Sequence, residues 1–131
     1  MTFVHFADPD TAGHRRGWMS MDYLDAVRKA DRAVGRILET IESTGRTATT
    51  AVIVSADHGG SGTGHWLFLT PEKKENYTIP WICVGPGVPA GLRIERVVRT
   101  VDTAPTVLAF LGLGAPEGID GRAVEEVLRR P

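Results

Sequence analysis

Thr50-Ala-Val-Ile-Val-Ser-Ala-Asp57-His58-Gly-Gly-Ser-Gly-Thr-Gly-His65-Trp66 is an apolar, β-branched run that breaks off into a carboxylate, an imidazole and a glycine-rich loop. The run Ala51 to Val54 suits a strand buried on both faces, and a strand is expected over residues 51–55. Asp57 and His58 at its end fit a core badly and a ligand well, because ligands of open α/β sheets gather beyond the carboxyl ends of strands. Four glycines separate His58 from His65, and they allow the backbone to come close to whatever is bound. Alone, the Asp-His pair is more simply a polar exit from a strand. A second cluster of the same kind, upstream, shifts the balance.

That cluster follows residues 2–7, which predict a strand. Asp8-Pro9-Asp10-Thr11-Ala12-Gly13-His14 then has the proline and glycine of a turn or loop, with Asp10 and His14 four residues apart. Ser20 can cap a long helix over residues 21–44, with Asp22 in its first turn and Gly45 at its end. Leu24, Val27, Val34, Ile37, Leu38 and Ile41 form one apolar stripe, while Arg28, Lys29, Arg32, Arg36, Glu39 and Glu42 form a solvated face. The helix is expected to cover a sheet and to carry no chemistry. Strand, helix and strand make a right-handed βαβ unit whose strands are parallel. Parallel strands share a carboxyl edge, so Asp10, His14, Asp57 and His58 are expected to converge.

Downstream, Trp66 to Leu69 is too short to classify, and residues 71–76 form a charged loop. A third strand is expected over residues 79–84, with Pro80 marking an edge or a start, and a fourth over residues 93–98. Asp102-Thr103-Ala104-Pro105 starts a helix that runs to about Leu111 and stops at Gly112. A last short helix is expected over residues 123–129. Capping and turn roles account for Asp102 and Asp120. The expected fold is α/β, a mostly parallel sheet with flanking helices, in a single domain over residues 1–131.

Composition narrows the function. A chain of 131 residues, 42% hydrophobic and 24% charged, is an ordinary globular one. A net charge of −1 with mixed signs gives no signal for nucleic acid or an acidic membrane. No apolar run approaches the length of a membrane span. No basic-then-apolar leader is seen, so the expected location is cytoplasmic. Cys83 is the only cysteine; an internal disulfide is excluded, and a buried, inert thiol is expected.

Asp10, His14, Asp57, His58 and His65 therefore carry the chemistry. They include three of the four histidines; His5, the fourth, falls inside the first expected strand and is taken as a packing residue. Carboxylate and imidazole without thiolate suit zinc, manganese or iron better than calcium or magnesium. Five ligands exceed one tetrahedral site with an open position and fall short of two filled ones. The expected cofactor is a pair of divalent ions, zinc ahead of manganese, with some ligands missing.

Pro9-Asp10-x-x-Gly13-His14, a long helix, and then Asp57-His58-Gly59 resemble the carboxy-terminal half of the alkaline phosphatase superfamily, in its type I phosphodiesterase and nucleotide pyrophosphatase branch. Gly17-Trp18-Met19-Ser20, Asp31-x-x-Val34-Gly35, Ile79-Pro80-Trp81, Gly85-Pro86-Gly87, Asp102-x-Ala104-Pro105-Thr106 and Ile119-Asp120-Gly121-Arg122 look like the same group. The resemblance implies that Asp10 and His14 hold a first metal with a third histidine, for which His65 is the candidate. It implies that Asp57 and His58 hold a second metal, together with an aspartate and a Thr or Ser nucleophile from an amino-terminal half. The two metals would clamp a phosphoryl group that passes through the nucleophile. No Thr or Ser of this chain matches the nucleophile position, so the expectation is an incomplete catalytic unit that acts on phosphate esters and needs an amino-terminal half or a second chain. A sulfatase or a phosphomutase of the same superfamily is an alternative, as is a non-catalytic metal-binding remnant. Phosphomutases fit the short spacing from His58 to His65, while residues 17–20 suit them less well.

Overall fold

A computed structural model describes residues 1–65 and 73–128 of the chain. The expected run at residues 66–69 and the end of the last expected helix lie outside the described residues. The fold divides into two compact units. One comprises Met1–Gly45 and Ala56–Pro80, the other Arg46–Ser55 and Trp81–Pro131.

In the first unit, helix α1 spans Asp8–Arg16 and helix α2 spans Met21–Ser43. The segment 8–14 expected to be a loop is thus helical. Pro9 stands in the first turn, where its missing N–H costs nothing and its fixed φ suits a helix. Asp8 and Asp10 lie in the same first turn, and Arg15 and Arg16 in the last, charges that both match the helix dipole. Gly17 closes α1 with φ 96°, its N–H donating to the Gly13 carbonyl at 2.8 Å. Ser20 caps α2 as expected: its Oγ accepts from the Tyr23 N–H at 3.2 Å. The helices pack on each other, and Lys29 Nζ meets Asp8 Oδ2 at 2.5 Å. No residue of α2 is buried, and Val27 and Leu38 are each 38% exposed. Its apolar stripe is a half-covered face rather than the closed sheet cover expected.

Residues 2–7 are not a strand, and Phe3 is 84% exposed. A strand satisfies its backbone only through a neighbour, whereas a helix satisfies its own. An apolar run with no partner strand therefore does not become part of a sheet.

In the second unit, strand β1 (Val52–Ser55) pairs with strand β2 (Trp81–Val84) in antiparallel register, Val52 opposite Val84 and Ser55 opposite Trp81. The mostly parallel sheet is corrected to this two-stranded antiparallel ladder. The parallel expectation needed a strand at residues 2–7, and without it the βαβ unit does not exist. Residues 93–98 form no strand; Arg96 instead makes a double hydrogen bond to Glu126, at 2.8 and 3.2 Å. Helix α3 spans Thr103–Phe110, close to expectation, and the last expected helix is a 3-10 turn at Glu125–Val127. Val124 and Val127 are buried, at 0% and 3% exposure. They pack beside a polar node in which Thr106 Oγ1 donates to the Asp102 carbonyl at 2.6 Å and accepts from the Val124 N–H at 2.9 Å. Among the described residues, no helix is long and apolar enough to cross a membrane.

Candidate metal centre

All five expected ligands belong to the first unit. Asp10 and His14 stand one turn apart on α1, so both side chains share one helix face. His14 Nε2 lies 3.5 Å from Asp10 Oδ1. Asp57 and His58 follow β1 in the chain, and the glycine loop then returns to His65. A one-pair bridge between Ser61 and Gly64 closes this loop, with Gly62 at φ 57° in the turn.

Asp10 Oδ1 is the meeting point. His58 Nε2 lies 3.8 Å from it and His65 Nε2 4.0 Å. His14 Nε2 and His65 Nε2 are 3.1 Å apart, and the rings of His58 and His65 stack with centroids 3.8 Å apart. The ligand atoms of Asp10, His14 and His65 all lie within 4.8 Å of one another. Asp57 is at the margin: its Oδ2 is 3.6 Å from His58 Nε2, its side chain is 81% exposed, and its Oδ1 accepts from the His58 N–H at 3.1 Å. Asp10, His14, His58 and His65 thus come together through a helix face and a glycine loop rather than a shared sheet edge, and Asp57 stays beside them.

The backbone selects the imidazole tautomers. His14 Nδ1 lies 3.0 Å from the Thr63 carbonyl oxygen and His58 Nδ1 lies 2.8 Å from the Gly59 carbonyl oxygen. A carbonyl only accepts, so each Nδ1 donates, and in that tautomer it is Nε2 that is turned to the cluster for ligation. A carbonyl behind each imidazole is the arrangement that fixes ring orientation and raises basicity in metal sites. Chemically, the set is one carboxylate and up to three imidazoles around a common point, with a second carboxylate beside it. That donor set fits a borderline divalent ion such as zinc or manganese.

Two contributors were not singled out from sequence. Trp18 lies against the cluster, its ring edge-on to His14 at 5.0 Å and to His65 at 5.8 Å. The segment at Lys74–Asn76 supports the loop from behind: the Gly59 N–H donates to the Asn76 carbonyl at 2.9 Å, and a Cβ on Gly59 would lie 1.9 Å from the Glu75 carbonyl oxygen. The signal available for both was the set of glycines, whose missing side chains leave room for something else.

Comparison with known proteins identifies the family. The profile of the type I phosphodiesterase / nucleotide pyrophosphatase family matches residues 1–99. The chain belongs to this family, within the alkaline phosphatase superfamily. It is similar to a 2,3-bisphosphoglycerate-independent phosphoglycerate mutase of Cereibacter sphaeroides, 36% identical over 94% of this chain and 23% of the relative. It is also similar to arylsulfatase K of Xenopus laevis, 31% identical over 81% of this chain and 20% of the relative. A phosphoglycerate mutase of Synechococcus elongatus is 30% identical over 96% of this chain and 24% of the relative. The chain spans about a fifth to a quarter of the length of these relatives.

Proposed function

We propose that Asp10, His14, Asp57, His58 and His65 hold two divalent ions, zinc by preference, and that the chain is the metal-holding, carboxy-terminal part of a catalytic domain acting on phosphate esters. The observation that carries this reading is the convergence of His14, His58 and His65 Nε2 on Asp10 Oδ1, within 3.5 to 4.0 Å. Asp10, His14 and His65 form one ligand group; His58 and Asp57 form the beginning of a second. A bound divalent ion supplies Lewis-acid neutralisation of charge on the ester oxygens. The chain's own contribution is to aim the imidazoles, through the Thr63 and Gly59 carbonyls, and to supply the Asp10 and Asp57 carboxylates. The nucleophile and the remaining second-metal carboxylate are assigned to residues outside these 131.

A phosphomutase is the second reading. It is favoured by the position of His65 in the cluster, only seven residues after His58, and by two similar relatives whose names are those of mutases.

Calorimetric titration of the chelator-treated chain with zinc tests the site. His14→Ala and His65→Ala should each weaken binding at least tenfold, and His5→Ala should leave it unchanged. Binding insensitive to His14 and His65 would remove the proposal. In a complete protein, transfer of phosphate between two positions of one sugar acid, against release of free phosphate or an alcohol, separates mutase from hydrolase.

A further inference from the structure

The geometry points to Trp18 as a positioning residue that sets the orientation of His14 and His65 for the bound ion. This inference rests on the metal reading above. Trp18 fills space that two glycines vacate. A Cβ on Gly13, in α1, would lie 2.7 Å from the indole, and a Cβ on Gly60, in the loop, would lie 2.1 Å from it. Neither distance leaves room for a methyl group, so α1 and the loop both lack a side chain where the ring sits. The Trp18 N–H donates to the Gly62 carbonyl at 2.7 Å, tying the turn after α1 to the loop that ends at His65. From this seat the indole meets both imidazoles edge-on, at 83° to His14 and 80° to His65, a favoured aromatic arrangement.

The two rings need that contact. The χ2 torsion of histidine is broad, so the plane of an imidazole is set by what touches it. The Thr63 carbonyl holds His14 at Nδ1, His65 Nε2 faces its Nε2 at 3.1 Å, and Trp18 adds a restraint at the ring edge. His65 stacks on His58 and meets Trp18 nearly at right angles, so its plane is fixed from two directions. Groups that orient metal ligands in this way typically change affinity 10–100-fold when removed.

The test uses the 131-residue chain and cobalt(II), whose visible bands report ligand geometry. In the zinc-free wild type, nuclear Overhauser contacts should join the Trp18 indole protons to imidazole protons of both His14 and His65, and should persist when zinc is added. Their absence before zinc would overturn the proposal without any variant. Trp18→Leu keeps apolar volume; it should bind cobalt about 10–100-fold more weakly, with altered visible bands, while melting cooperatively. Trp18→Phe should recover most of the affinity. Gly60→Ala should weaken cobalt binding in the wild type and have little further effect in Trp18→Ala, where the added methyl meets no ring. A folded Trp18→Leu with unchanged affinity and bands would overturn the role. If the wild type binds no cobalt, the metal reading fails; if it binds and ignores Trp18, only the positioning role fails.

Discussion

Asp102 shows how much one side chain carries in the second unit. It is 1% exposed. Its Oδ2 accepts from the Arg99 N–H at 2.9 Å and its Oδ1 from the Arg122 N–H at 3.0 Å, with the Arg99 guanidinium at 3.4 Å. The cap expected on α3 is not made: the carboxylate instead turns back to Arg99, at the start of the preceding 3-10 turn, and across to Arg122. Burial pushes the Asp102 carboxyl up, yet the two N–H donors and the Arg99 charge outweigh it, and the net effect is a pKa below the ordinary value. A lowered folded pKa stabilises above the unfolded value, near 3.9, and that stability is lost as pH falls through the lower folded value. Asp102→Asn should therefore cost about 2–4 kcal/mol at pH 7, and the deficit should shrink below about pH 4. Urea unfolding across pH 7 to 2 measures both; a constant deficit would show that the charge is irrelevant. Asn76 is the opposite case, 1% exposed with neither side-chain polar atom hydrogen-bonded among the described residues. Since a buried orphan amide costs about 1–3 kcal/mol, Asn76→Leu should raise the unfolding midpoint. At this scale the sequence was most informative: residue types alone marked the five clustered side chains and the structural role of Asp102. Trp18 was not legible, because what a ring touches depends on packing between segments far apart in the chain.

Elements were legible where their determinants are local. Helix α2 begins and ends within a residue of expectation because Ser20, Asp22 and Gly45 act within one turn. That makes it testable by itself: Ser20→Ala removes the oxygen that accepts from Tyr23 and should cost about 1 kcal/mol, with Ser20→Asp close to wild type. The measurement is the thermal midpoint of metal-free protein, and an unchanged midpoint for Ser20→Ala would mean the cap contributes nothing. The failures were elements that need a partner. Residues 2–7 have strand composition, but composition does not supply a neighbour, so the parallel sheet derived from them is absent. Helix α1 was missed for a related reason. Pro9 and Gly13 read locally as a loop, yet proline suits a first turn, and Gly13 is accounted for by the Trp18 indole lying where its side chain would be. Cys83 was expected to be buried and is only half-buried on β2; burial still pushes its thiol up to about 11, which keeps it protonated and slow to react at neutral pH.

At the scale of the whole molecule the decisive quantity is what a fifth to a quarter of the relatives' length can do alone. The proposed site uses five ligands and has no group assigned as nucleophile. Water beside a divalent ion is a substitute, since the ion lowers its pKa towards about 7. Such water would attack an ester that nothing in this chain is assigned to orient. Orientation of reacting groups contributes up to roughly 7–11 kcal/mol to catalysis, and most of it would be forfeited. The zinc- or manganese-loaded chain is therefore expected to bind metal weakly and to hydrolyse nitrophenyl phosphodiesters, phosphomonoesters and sulfate esters negligibly. Supplying an amino-terminal portion that carries a Thr or Ser nucleophile should restore turnover, and Asp57→Ala or His58→Ala should abolish what is restored. Nitrophenol release, followed with the His58→Ala variant as control, decides the matter. Multiple turnover by the 131-residue chain alone, lost in that control, would place a competent nucleophile within these residues and overturn the assignment of the nucleophile to a separate portion.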